Sequence, residues 1–339
     1  MENYFSIKFT GMKKLILACI VLTSLSTGLQ AQQDAHYSLY MFNGLYLNPA
    51  YAGSHEVVNL MAIYRHQWAG IDGAPRTGNI SIDAPLRRNN VALGLILAGD
   101  KLGLTTSFSA TASFAYRIKV RKTKICLGIQ AGGTYYQQRN TDAIPSELAA
   151  QGYTDNIFSV NKSIFVPNVG AGIYIYSRKY YIGLSVPHIL PMKLNGSLGT
   201  SMSDGLIRQY NHYIFTAGVV IGRETSVVKV RPSLLVKYVK GLDRNIPDFD
   251  ASLGLLFADR FWLGGTYRLA SGYDNKQGTA FVIWAELKVT HSLRIGYGFD
   301  YALSGLNTIA KYGSHDFMIG YEFINKNKRY ASPRYVTYF

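Results

Sequence analysis

The chain has very little cysteine: two residues in 339, Cys19 and Cys126. Cys19 lies inside a stretch that export would remove, and Cys126 alone can close no intrachain disulfide. Beyond residue 30 the sequence also lacks any uninterrupted apolar run near the roughly 18 residues that a membrane helix needs. Acidic residues are scarce, 20 against 35 Lys and Arg, for a formal charge of +15. Such an excess can signal nucleic-acid or anionic-surface binding, but basic turns and a basic interior explain it more simply in an exported chain.

Catalytic signatures are missing too. The seven histidines show no HExxH spacing, no CxxC pair occurs, and no GxSxG elbow is present. His212 and His315 stand singly in polar positions, where an ordinary lining residue is the simpler reading than a metal ligand. No glycine-rich loop opens a helix, because no strong helical periodicity occurs at all. Neither an enzyme nor a cofactor is expected, and no metal site is visible.

What the chain has in quantity is tyrosine (26), phenylalanine (16) and glycine (33), a mixture that suits pleated sheet, with glycine where backbones crowd. The mean hydropathy of +0.02 is what a membrane barrel gives when polar lumen positions cancel lipid-facing ones. The first 31 residues read as a secretory signal. Met12-Lys13-Lys14 supplies the charged start, with Met12 a possible true initiator. Leu15 to Leu25 supplies the apolar stretch, and Leu29-Gln30-Ala31 a cleavage site before Gln32.

Residues 32–55 are aromatic and Asn-rich without clean periodicity, and are expected to form an arm at the mouth or in the lumen of a barrel. As a cap it would protect the mouth; as a docking segment it would meet a partner, and its composition does not choose between the two.

From residue 56 to 325 strand-like segments run in series with period-two alternation. Phe108, Ala110, Ala112, Phe114, Tyr116 and Ile118 alternate with Ser107, Ser109, Thr111, Ser113, Arg117 and Lys119. The segments fall at 56–68, 77–86, 90–99, 104–120, 123–137, 164–176, 179–187, 207–222, 226–240, 248–257, 260–271, 277–289, 291–302 and 313–325. These make an all-β, single-chain transmembrane antiparallel barrel of about 14 strands, the even count usual for outer-membrane barrels. Residues 326–339 are left as a tail.

Every second connection is short and basic or polar: Arg87-Arg88-Asn89, Arg121-Lys122, Ser177-Arg178, Arg223-Glu224-Thr225, Asp259-Arg260 and Thr290-His291. The intervening ones are expected to be longer, notably 138–163, 188–206 and 303–312. Short turns belong on the periplasmic side of such barrels, so this phase predicts periplasmic termini and an outer-membrane location. A soluble β-sandwich would also alternate, but its outward face would be the charged one.

Here the polar phase carries Arg117, Lys229, Arg231, Arg268, Glu286, Arg294 and Asp300 as candidate lumen charges. A structural network bracing the wall is the plainer role for them; selective transport or partner capture is the alternative. Gly94, Gly99, Gly128, Gly132, Gly170 and Gly172 fall inside strands, where glycine more often relieves crowding or bends a wall than binds a ligand.

The stretch RHQWAGIDGAPRT, Arg65 to Thr77, reads as a strand end, a Gly/Pro turn and the next strand's start. Arg65 and Gln67 take the polar phase, and Ala69 to Pro75 become the first loop on the long-loop side.

Taken together, YMFNGLYLNPAYAGS (Tyr40 to Ser54) and YRHQWAGIDGAPRTGNISIDAPL (Tyr64 to Leu86) resemble the opening of the PorP/SprF family of type IX secretion membrane proteins of Bacteroidetes. HDFMIGYEF (His315 to Phe323), with SPRY (Ser332 to Tyr335) after it, is similar to that family's close. Gly44 and Gly78 depart from it at turn-tolerant places.

The resemblance implies a non-enzymatic outer-membrane barrel that assists secretion or surface anchoring of exported proteins, including gliding adhesins. The implied partners are an exported protein bearing a type IX C-terminal signal and a periplasmic ring or peptidoglycan-linked apparatus. On the matching motif, Asn48, Pro49, Tyr51, Arg65, Gln67, Trp68, Asp72, Gly73 and Pro75 are the candidate partner contacts. A passive or selective porin, with 138–163 as its constriction loop, is the alternative reading.

Overall fold

The computed structural model describes residues 36–86, 90–139, 161–190, 211–223, 225–240, 247–269, 279–303 and 312–324. The expected signal peptide, the constriction loop over most of its length and the C-terminal tail lie outside these residues.

Alternating sequence becomes fourteen strands: β1 (Val58–His66), β2 (Arg76–Pro85), β3 (Val91–Leu102), β4 (Thr105–Val120), β5 (Thr123–Gln138), β6 (Lys162–Tyr176) and β7 (Tyr180–Val186). The second half comprises β8 (Asn211–Val219), β9 (Val228–Lys240), β10 (Asp248–Phe257), β11 (Phe261–Leu269), β12 (Ala280–Lys288), β13 (Leu293–Ala302) and β14 (Ser314–Phe323). Each pairs antiparallel with its neighbours in sequence, and β1 pairs with β14, so the sheet closes on itself. Closure removes every edge, and all wall backbone groups can pair inside lipid.

Which face points outward decides the solvent. Leu93, Leu95 and Leu97 on β3, Phe108, Phe114 and Ile118 on β4, and Phe317, Ile319 and Phe323 on β14 are all exposed. Arg65, Lys229, Arg231, Asp250, Arg268, Glu286, Arg294, Asp300, Asp316 and Glu322 are all buried. A soluble sandwich would show the reverse. An apolar exterior around a charged interior satisfies the hydrophobic effect only when the exterior meets hydrocarbon. No helix among the described residues is long and apolar enough to cross a membrane.

The connections define two ends. At the turn end β4 joins β5 through Arg121-Lys122, and β6 joins β7 through residues 177–179. At the loop end residues 139–161, 187–210 and 303–313 intervene. One expectation fails here: β3 and β4 also meet at the loop end, yet only Gly103 and Leu104 separate them. Gly103 sits at φ +56°, a left-handed conformation that glycine adopts without cost, so a tight hairpin closes where a longer loop was expected.

The core lies inside the barrel. Residues 36–55 run through the lumen as three short helical turns, Tyr40–Phe42, Gly44–Leu47 and Pro49–Tyr51. Tyr37, Leu39, Tyr40, Met41 and Phe42 pack with Met61, Trp262, Val282 and Trp284 of the wall in one cluster. Leu45, Ala50, Tyr51 and Ala52 pack with Ala92, Ala115, Tyr174 and Tyr176 in another.

Candidate functional site

The interior is built from three contacts between the wall and residues 36–55. The first is a charged clasp at the loop end. Register places Arg65 of β1 opposite Asp316 of β14, and Asp250 of β10 opposite Arg268 of β11. Asp300 of β13 links the pairs, 2.9 Å from both Arg268 and Arg65, while Arg65 reaches Asp316 at 2.6 Å. The lumen segment threads onto this chain of charges. The Ser38 backbone N–H donates to Asp316 at 2.6 Å, and Arg65 donates to the Ser38 hydroxyl at 2.7 Å. His36 Nε2 lies 3.2 Å from Asp250. With Asp316 fully buried, these donors satisfy a carboxylate that would otherwise be strongly unfavourable inside the lumen.

The second contact is a socket in the wall of β5, β6 and β7. A Cβ on Gly128 would fall 2.2 Å from the Ala50 nitrogen, and one on Gly172 would fall 2.2 Å from the Asn48 amide oxygen. Only hydrogen leaves room for the Asn48-Pro49-Ala50 turn to lie against the strand backbones. Asn48 then works in both directions. Its Oδ1 accepts from the Ala50 N–H at 2.9 Å and caps the turn, while Nδ2 donates to the carbonyl of Ile173 at 2.9 Å. Ser185 donates to the Leu47 carbonyl at 2.5 Å. Gly94 likewise makes room for Leu45. These three strand glycines accept the chain's own segment, whereas Gly132 crowds Ala110 and Thr111 of the adjoining strand, as strand glycines more often do.

The third contact lies toward the turn end. Tyr51 OH lies 3.1 Å from His55 Nε2, and His55 Nδ1 lies 3.3 Å from Glu322. Arg294 spans Glu322 at 3.5 Å, Glu286 at 3.6 Å and Asn59 Oδ1 at 3.1 Å. Asp83 accepts from the Gly53 N–H at 2.7 Å and from Asn59 at 3.0 Å. Arg117 reaches the Ala52 carbonyl at 3.3 Å. Arg231 lies over Trp262 at 4.4 Å, with Phe42 at 5.4 Å and Trp284 at 5.7 Å, a cation in an aromatic enclosure that includes the lumen segment. Lys229 pairs with Asp259 at 2.5 Å, and Glu56 with Lys124.

The candidate residues therefore separate into two groups. Asn48, Pro49 and Tyr51 are buried in the lumen together with all seven candidate lumen charges. Gln67, Trp68, Asp72, Gly73 and Pro75 form the loop between β1 and β2, with Asp72 and Gly73 exposed. That loop is strapped on both sides. The Trp68 N–H donates to Ser314 Oγ at 3.1 Å and the Ala69 N–H to the Gly313 carbonyl at 2.8 Å, while the Gly103 N–H donates to the Gly73 carbonyl at 3.1 Å. Trp68 holds φ +52°, uncommon for a bulky side chain, and its ring is half-buried. Arg65 alone connects the groups, since it lies inside the lumen one residue before the end of β1, where the loop begins.

Sequence reasoning did not single out Asp250, Asp316, Asp83, His36 or Ser38. Each carboxylate stood in the polar phase of its strand and was open to selection; nothing local marked His36 and Ser38. Among the described residues no group of three or more His, Cys, Asp and Glu side chains could hold a metal ion. His212 is buried with its ring 5.2 Å from that of His188, and His315 accepts or donates at 2.7 Å with Tyr297 OH.

An apolar shell turned to lipid, a closed even-stranded wall and a charged interior filled by the chain's own segment define an outer-membrane β-barrel with an occupied lumen. The sequence profile of the family described as "Type IX secretion system membrane protein PorP/SprF" matches residues 29–321, and the chain belongs to that family. A search of curated proteins found no match.

Among solved structures, the Acinetobacter baumannii outer membrane protein Omp33 is similar at 7% identity and TM-score 0.46, covering 79% of this chain and 98% of that one. The KdgM porin is similar at 8% identity and TM-score 0.35, with 79% and 100% covered. A mutant Rh. blastica porin is similar at 9% identity and TM-score 0.35, with 78% and 99% covered.

Proposed function

We propose that this barrel is a non-enzymatic accessory of type IX secretion that holds an exported, adhesin-like protein at the outer membrane. The observation that carries the reading is the filled lumen. A barrel whose interior is taken up by its own residues 36–55 is better suited to holding a partner at one of its ends than to passing one through. The partners in this reading are an exported protein with a type IX C-terminal signal on the outer side and ring or peptidoglycan-binding components in the periplasm, which membership of a type IX secretion family supports. The loop end, with the strapped β1–β2 loop and its exposed Asp72 and Gly73, is the surface assigned to the exported protein. Short turns then face the periplasm, in the usual orientation of such barrels.

The test is isolation of the native barrel from membranes under mild detergent, with mass spectrometry of what accompanies it. A large exported protein bearing the signal is expected. Large, steady single-channel conductance from the purified barrel, with no exported protein bound, would overturn the reading in favour of a porin.

A further inference from the structure

The two ends of the barrel differ in charge. At the loop end both signs meet solvent among the described residues: Arg76, Lys101, Arg139 and Lys240 are exposed along with Asp72, and Asp100 and Asp248 are half-buried there. The turn end is one-sided. Arg121 and Lys122 in the β4–β5 turn, Arg178 and Lys179 in the β6–β7 turn, and Arg223 after β8 are all exposed. The described carboxylates at this end are already engaged or enclosed. Glu56 pairs with Lys124, Asp259 pairs with Lys229 at 2.5 Å, and Asp83, Glu286 and Glu322 are buried in the lumen. The three basic turns are neighbours. The Tyr180 hydroxyl lies 2.9 Å from Thr123 Oγ1 and joins the first to the second, while the Val220 N–H donates to the Lys179 carbonyl at 2.7 Å and joins the second to the third. Each turn also adjoins the end of the lipid-facing band. Tyr116, Ile118 and Val120 run down to Arg121, Tyr180 follows Lys179, and Val219 and Ile221 run down to Arg223, all of them exposed apolar side chains.

We propose that this arc of three turns binds the phosphates of anionic phospholipids in the leaflet at the turn end. Its height fits: the apolar band stops beside the cations, where hydrocarbon gives way to headgroups. From there Arg and Lys lay their stems along the acyl boundary and carry the charge into the headgroup layer, and the guanidinium fork matches phosphate oxygens. Its charge fits as well. A zwitterionic headgroup brings an ammonium that cancels much of the attraction, whereas a net-negative lipid meets a row of cations with no exposed carboxylate among the described residues beside it. The apolar neighbours choose lipid over an acidic protein. Val120, Ile221 and Val227 stand exposed between the cations, where acyl chains cover them and a charged protein face leaves them wet. The same strands β5, β6 and β7 form the socket for Asn48 and Ala50, so lipid bound across their turns steadies the wall on which the lumen segment rests.

The test is titration of phosphatidylglycerol into the purified full-length barrel in neutral detergent, with bound lipid counted by native mass spectrometry and phosphatidylcholine as the zwitterionic comparison. Two variants of equal charge are set against the parent. One combines Arg121→Gln, Lys122→Gln, Arg178→Gln and Lys179→Gln at the turn end; the other combines Arg76→Gln, Lys101→Gln, Arg139→Gln and Lys240→Gln at the loop end. A cation near an anionic lipid surface is worth about fivefold in affinity, so the turn-end variant is expected to bind phosphatidylglycerol more than about tenfold more weakly and the loop-end variant within about twofold of the parent. Unchanged affinity in the turn-end variant, equal losses in both variants, or equal binding of the two lipids by the parent would overturn the proposal. Heat-modifiable gel mobility checks that each variant is folded and supplies a second readout. Phosphatidylglycerol is expected to raise the unfolding temperature of the parent and the loop-end variant but not of the turn-end variant, and an equal rise in all three overturns the proposal. Loss of a periplasmic protein from the native complex of the turn-end variant, with its lipid affinity unchanged, would assign the arc to a protein instead. No exported protein takes part in the lipid measurements, so their outcome stands apart from partner capture.

Discussion

Two of the three contacts on the lumen segment are held by opposite chemistry. At the loop end Ser38 and His36 sit in a chain of five alternating charges, Asp250, Arg268, Asp300, Arg65 and Asp316, each within 3.1 Å of the next. At the β5–β7 wall Asn48 and Ala50 touch bare backbone through missing side chains at Gly128 and Gly172. The clasp gains specificity from paired charges that cannot be separated cheaply once buried, and the socket gains it from shape. Losing one partner of the clasp leaves an uncompensated ion; adding one methyl to the socket leaves no place for the segment. The two contacts therefore fail in different ways, and substitution can tell them apart.

The largest effect is expected at the clasp. Asp316→Ala strips one of two carboxylate acceptors from Arg65 and the acceptor from the Ser38 backbone N–H, and should destabilise the barrel by about 3–5 kcal/mol. Thermal unfolding in detergent, read out by heat-modifiable gel mobility, checks it. The double variant Arg65→Ala with Asp316→Ala should lose less than the sum of the two single variants, because each of them already removes the Arg65–Asp316 bond; strict additivity would show that the pair is not coupled.

At the socket, Gly128→Val should cost roughly 1–3 kcal/mol and, unlike the clasp variants, should drive the segment off the wall, because the obstacle is the Ala50 backbone itself. Ion conductance in planar bilayers rising above the parent's is the distinguishing readout; an unchanged, silent barrel would show that the wall yields instead.

A smaller effect is expected from Asn48→Ala, which removes the cap on Ala50 and the bond to Ile173, at about 1–2 kcal/mol in the same thermal assay. Smallest of all, Asp72→Ala in the exposed loop should leave stability within about 0.5 kcal/mol. Its effect, if the loop meets the exported protein, should appear as reduced surface display with normal barrel yield. Normal display would assign the loop to the strapping role that Trp68, Ala69 and Gly73 already fill.

Much of the wall was legible from residues alone. The segment expected at 248–257 is β10 itself, and the other boundaries that fall among the described residues agree within a few residues; residues 207–210, expected to open β8, lie outside the described residues. The seven candidate lumen charges are all buried. The β3–β4 hairpin was misjudged because loop rhythm is a statistical habit of barrels, whereas a single Gly103 can close a turn at either end. The strand glycines were read as relief of crowding. That holds at Gly132 but misses Gly128 and Gly172, whose neighbours lie 78 and 124 residues away along the chain at Ala50 and Asn48.

By itself the sequence determined the strand number, the antiparallel wall and the face that each side chain takes. Period-two alternation is a local property of a pleated chain, and lipid on one side fixes its sign. Only the tertiary structure decided what fills the barrel and which charges meet. Arg65 finds Asp316 across 251 positions, and Ser38 finds it across 278. Such pairings come from closure and register, and an arm without periodicity carries no local signal of the wall against which it will pack. The stretch from Tyr40 to Ser54 thus announced a family in its residues, and became a lumen segment with a direction only once the sheet had closed around it.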